Sequence, residues 1–103
     1  MSVVNDHRKG YAMPDTQYEV LCETLPEEAI LMLRDCARKR WKAIDKEDDL
    51  NWAINFWEAH GILLGLSYAG VADFLTLQRF ETKLSDTILR ELKLDEEDEE
   101  DGD

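Results

Sequence analysis

The chain has 103 residues and a mass of 12.0 kDa, enough for one small domain. It is 44% hydrophobic and 35% charged with two prolines and five glycines, which excludes a low-complexity or wholly disordered chain and fits a helix-rich globule. Acidic residues outnumber basic ones 24 to 12 and the net charge is −12, so the overall field repels phosphate and disfavours direct nucleic-acid binding.

In chain order, residues 1–14 are polar and aperiodic, with Gly10 and Pro14 as breakers, and read as a flexible arm. Residues 1–13 hold Val3 and Val4 but no apolar core of a secretory signal, so a cytoplasmic location is expected. Asp15 is placed to cap a short helix over 16–23 that sets Tyr18, Leu21 and Cys22 on one side. Thr24 followed by Glu27 has capping-box spacing, with Pro26 in the first turn. Ala29, Ile30, Leu33, Ala37, Trp41 and Ile44 then recur at threes and fours, predicting a helix to about residue 44 with that face inward.

The acidic turn Asp45, Lys46, Glu47, Asp48, Asp49 follows. Asp48 is placed to cap a second long helix reaching residue 69, with Gly70 as its stop. Leu50, Ala53, Ile54, Trp57, Gly61, Leu64 and Tyr68 form one stripe, and Trp52, Phe56, Leu63 and Leu66 widen the apolar surface beyond it. A helix apolar on most sides is expected to be central in the domain or shared with another chain, as in a homodimer. The stretch 50–69 also carries Asn51, Asn55, Glu58 and His60, too many polar groups for a lipid-spanning helix, so no membrane role is expected. Gly61 and Gly65 share a face, which indicates either close approach of another helix or a break near Gly61.

Asp73 is placed to cap the third long helix, where Leu77, Phe80, Leu84, Ile88 and Leu92 make a narrow stripe. Such a helix is expected on the outside of the bundle. Residues 95–103 (DEEDEEDGD) hold eight acidic groups in nine positions, and a disordered tail is expected. The reading is an all-α small helical bundle of three main helices plus a short N-terminal one, spanning 15–94 between a disordered arm and an acidic tail.

No Gly-rich phosphate loop, nucleophile elbow or zinc-protease motif is present, so no enzyme, catalytic residue, metal or cofactor is expected. His60 follows Trp57 by three and reads as a packed or hydrogen-bonded core histidine; Glu58 lies on another face. Cys22 and Cys36 lack CxxC spacing and read as reduced packing residues. Arg34, Arg38, Lys42 and Lys46, each four apart, form a basic stripe within a cluster that includes Lys39 and Arg40. Three readings of the stripe stand open: a solvated face, a landing site for the acidic tail, or a contact for phosphate or an acidic protein. Asp45, Glu47, Asp48 and Asp49, with Asp95, Glu96, Glu97 and Asp98 of the tail, are candidate contacts to a basic surface, either as a solvation brush or in imitation of phosphates. Glu27 and Glu28 add a further acidic patch. Trp52 and Phe56, four apart, are candidate aromatic contacts on a face offset from Trp57 and Leu64.

Residues 60–86 (HGILLGLSYAGVADFLTLQRFETKLSD) resemble a helix–turn–helix ending of short accessory proteins encoded by phages and prophages, with Gly61 and Gly65 in the first helix and Ala69 and Gly70 at the turn. The resemblance implies a helical protein that binds and redirects or inhibits a host machine. The expected function is a non-enzymatic modulator of a nucleic-acid-processing enzyme or defence complex. The alternative is a structural or assembly subunit, or an antitoxin-like cap, acting as an obligate oligomer.

Overall fold

The computed structural model describes the backbone of residues 13–102 and the side chains of 13–94. The fold is all-α: α1 (Asp15–Thr24), α2 (Glu27–Asp45), α3 (Asp49–Tyr68) and α4 (Phe74–Gly102), with no strand among the described residues. The expectations for residues 1–12 and for the acidic side chains of 95–103 fall outside the described residues. Met13, assigned to the arm by its sequence, is instead buried in the core.

Local chemistry sets most of the helix ends. Asp48 accepts a hydrogen bond from the Asn51 backbone N–H at 3.1 Å and opens α3. Asp73 does the same for Thr76 at 3.1 Å and opens α4. After α3, Gly70 adopts φ +78, its N–H donates to the Ser67 carbonyl, and the Val71 N–H donates to that of Leu66. This double closure is a Schellman motif. The α2–α3 turn repeats it: Asp48 N–H donates to the Ala43 carbonyl and Glu47 N–H to that of Ile44. There the left-handed position, φ +55, is held by Glu47 rather than glycine.

Two expected starts differ. Asp15 does not cap α1; it lies in the first turn, and its carboxylate takes a 2.6 Å contact from Lys83 Nζ. Thr24 forms no capping box, because it is the last residue of α1 and the N-cap of α2 is Pro26. Proline restricts the residue before it to extended backbone, so the break falls at Leu25 (ψ 150).

The core gathers around α4, which touches all three other helices. Leu77, Phe80, Leu84 and Ile88 are essentially fully buried. Leu77, Phe80 and Leu84 form one cluster with Leu33 and Cys36 of α2, Ala59, Leu63 and Leu66 of α3, and Leu25 and Met13. Tyr18 of α1 stacks on Phe80 with ring centroids 5.1 Å apart. The helix expected on the outside is thus the hub of the bundle.

Polar ties fix α4 on α2. Arg34 donates to both carboxylate oxygens of Glu91 at 2.9 and 3.2 Å, and Trp41 Nε1 donates to the Ser85 carbonyl at 2.8 Å. Arg40, nearly buried, is paired with Glu81. The pairings run in opposite directions along the two helices, so α2 and α4 are antiparallel. On α2 the buried face includes Cys36, Arg40 and Ala43 beside Leu33 and Ala37, whereas Ile44, expected inside, is half exposed.

Candidate protein-interaction surface

α3 is apolar on nearly every side, so burial of one side leaves another in solvent. The buried side carries Asn55, Ala59, Leu63 and Leu66. Asn55 Nδ2 donates to the Asn51 carbonyl at 2.8 Å, so this one polar group on the inner face is satisfied within its own helix. At 3.6 residues per turn the opposite side carries Leu50, Ile54, Trp57, Gly61 and Tyr68. These four large side chains are 72%, 52%, 64% and 86% exposed respectively.

The stripe from Leu50 to Tyr68 is therefore the outward face, with only Ala53 and Leu64 half-buried. The sequence gives no contrast around α3 from which to choose a side. The small side chain of Ala59 faces inward where α2 and α3 pack along each other. Gly61 and Gly65 correct the expectation of close approach within the chain: a Cβ built on either meets nothing within 4 Å. The helix is unbroken there.

Beside this face runs a ladder of rings. Trp52 stacks on Phe56 at 5.2 Å and Phe56 on His60 at 6.3 Å. His60 meets Phe74 of α4 edge-on at 5.2 Å, and Trp57 sits edge-on to both Phe56 and His60 at 5.5 Å. Trp52 and Phe56 keep about a third of their surface exposed (38% and 36%). His60 packs among rings but is half-buried, outside the core expected for it. Glu58 is exposed elsewhere on the helix.

The charged candidates do not form one surface. Asp45, Glu47, Asp48 and Asp49 sit at the α2–α3 turn, and Glu27 and Glu28 lie at the other end of α2, about 27 Å away at helical rise. Between them lie the basic groups. Arg34 is spent on Glu91, and Lys39 pairs with Asp35 at 3.0 Å on its own helix. Arg38, Lys42 and Lys46 make no ion pair among the described residues. Because α4 runs antiparallel to α2, its course beyond Glu91 leads away from these three. Hydrogen bonds from Asn51 hold the Asp48 carboxyl below its ordinary range, and those from Thr76 do the same for Asp73.

The cysteines divide. Cys36 is buried, and burial pushes its thiol up, so it stays protonated and inert. Cys22, expected to pack, is exposed; neither is bonded. Among the described residues no group of three or more His, Cys, Asp or Glu is placed to hold a metal ion, and no helix is long and apolar enough to cross a membrane. Residues 60–86 span the end of α3, the turn after it and the first half of α4. No family model, curated protein or solved structure matches the chain.

Proposed function

We propose that this protein is a non-enzymatic protein-binding module whose docking element is α3. One observation carries the reading: the outward side of α3, directly opposite its buried side, presents Leu50, Ile54, Trp57 and Tyr68 to solvent. Exposed apolar surface of that extent marks contact with another macromolecule, and aromatic side chains are the usual anchors. The partly exposed Trp52 and Phe56 border the face, and the acidic turn at its N-terminal end adds a preference for a partner with basic groups nearby.

In its finer form the proposal is a cytoplasmic modulator that inhibits or redirects a host nucleic-acid-processing enzyme or defence complex. The net charge of −12 and the resemblance to phage accessory proteins support that form. Imitation of phosphates is the lesser component, since the acidic groups of the body are split between two ends of α2 with basic groups between them. The alternative, a subunit that assembles with itself, draws on the same outward face.

The test is capture from nuclease-treated bacterial lysate with the wild type and with Trp57→Asp. The expected result is one stoichiometric protein held by the wild type and released by the variant, with helicity and melting of the variant unchanged. A wild-type chain that captures nothing and stays monomeric overturns the reading.

A further inference from the structure

The outward residues of α3 follow a stricter rule than amphipathicity. Leu50, Ile54, Trp57, Gly61, Leu64 and Tyr68 are spaced four, three, four, three and four apart. The five steps cover 18 residues, 3.6 on average, so the row keeps to one side of the helix, and its strict alternation of fours and threes is that of a coiled-coil seam. Apart from the half-buried Leu64, its large side chains are exposed in the described chain. With a bare aromatic side chain presenting about 150–250 Å², the exposed fractions along the seam amount to on the order of 600 Å² per copy. Two such faces together reach about 1,200 Å², the lower bound of stable protein interfaces.

The seam is also self-complementary in one direction. We propose that a second copy of this chain covers it, with the two α3 helices antiparallel about a two-fold axis level with position 59. In that register Leu50 faces the second copy's Tyr68, Ile54 faces Leu64, and Trp57 faces Gly61. Each contact occurs twice, as a two-fold interface requires. The largest side chain of the seam meets its one gap, and the open space over Gly61 becomes the seat of an indole. This gives the glycine a packing role that the single chain does not supply.

Charge selects the same direction. The N-terminal end of α3 carries Asp45, Glu47, Asp48 and Asp49, whereas Ser67, Tyr68, Ala69, Gly70 and Val71 at its other end carry no charge. Antiparallel pairing sets each acidic turn beside a helix end that carries only the partial negative charge of its last carbonyls. Parallel pairing sets the two acidic turns side by side, where like charges repel. The helix between has only Glu58 as a further charge, so two copies meet there despite the net charge of −12.

The inference rests on the reading of α3 as a contact face and names its occupant. It is tested by sedimentation equilibrium of the full chain from micromolar to submillimolar concentration, far-UV circular dichroism being recorded alongside. The expected mass is twice the 12.0 kDa of the chain. Gly61→Leu should weaken association at least tenfold while leaving helicity intact, because a side chain there meets nothing within its own chain. Adding Trp57→Ala to Gly61→Leu should recover part of the loss, since the two positions face each other only in the antiparallel register. A monomer at every concentration overturns the inference; if such a monomer still captures another protein through Trp57, the broader reading survives, and if it captures nothing both fall. A dimer indifferent to Gly61→Leu, or one that the second substitution does not help, overturns the register.

Discussion

α3 and α4 invert the order that hydrophobicity assigns them. α3 is the most apolar segment of the chain, yet six of its large apolar side chains are exposed, Leu50, Ile54, Trp57 and Tyr68 the most. α4 has only a narrow apolar stripe, and that stripe holds four of the five largest fully buried side chains of the bundle. Burial depends on where apolar groups converge rather than on how many a helix owns. A narrow stripe has one way to face the core and uses it fully. A helix apolar all round satisfies the core with one side and keeps the other for a partner.

The contrast is sharpest in substitutions. Phe80→Ala on α4 should destabilise the chain by about 4 kcal/mol, whereas Trp57→Ala should change the stability of the dilute monomer by less than about 0.5 kcal/mol. Urea melts of the two variants at low concentration check this, and equal losses would erase the distinction. Next in size is the ion pair that anchors α4. Arg40→Ala leaves Glu81 in a largely enclosed site without its cation and should cost about 3 kcal/mol, against a negligible effect for Arg38→Ala, whose side chain makes no ion pair among the described residues. The same melts compare the two.

The helix ends of α3 provide smaller effects of opposite sign. Glu47→Gly relieves a left-handed conformation and should stabilise the chain by about 1 kcal/mol. Gly70→Ala imposes the same strain at φ +78 and should destabilise it by about the same amount. Thermal melts separate the two. The smallest effect is acid sensitivity. Asp15, Asp48 and Asp73 are held below the ordinary value of 3.8, by Lys83, Asn51 and Thr76 respectively. A carboxylate lowered in the folded state contributes stability that is complete above its unfolded value and is lost as pH falls through the folded one. Melting temperature should therefore be flat above about pH 5 and decline below 3.8, and the decline should shrink in Asp48→Asn.

What was legible in the sequence was whatever depends on neighbours in the chain. The caps Asp48 and Asp73, the stop at Gly70 and the stripe Leu77, Phe80, Leu84, Ile88 are local signals, and the structure uses each of them. Thr24 misled because a capping-box spacing competes with Pro26, which forces the break one step later. Arg40 could not be told from its basic neighbours, since its partner Glu81 is 41 residues away. The face of α3 was illegible for a different reason: with apolar residues on every side, periodicity has no direction to report. Of the candidate site, Trp52 and Phe56 lie at the border of the exposed surface, while Leu50, Ile54, Trp57 and Tyr68 are legible as a stripe but not as the outward one. Spacing alone does not find them, because their steps of four and three average 3.6 residues, the same period as a buried face.

The central claim is that the outward face of α3 is a contact surface occupied in solution by a second copy. Hydroxyl-radical footprinting of the full chain, read at Trp57 and Tyr68, measures it side chain by side chain. The account predicts slow oxidation of both at high protein concentration and a rise toward the rate of free side chains on dilution. Fast oxidation of both at every concentration would contradict it.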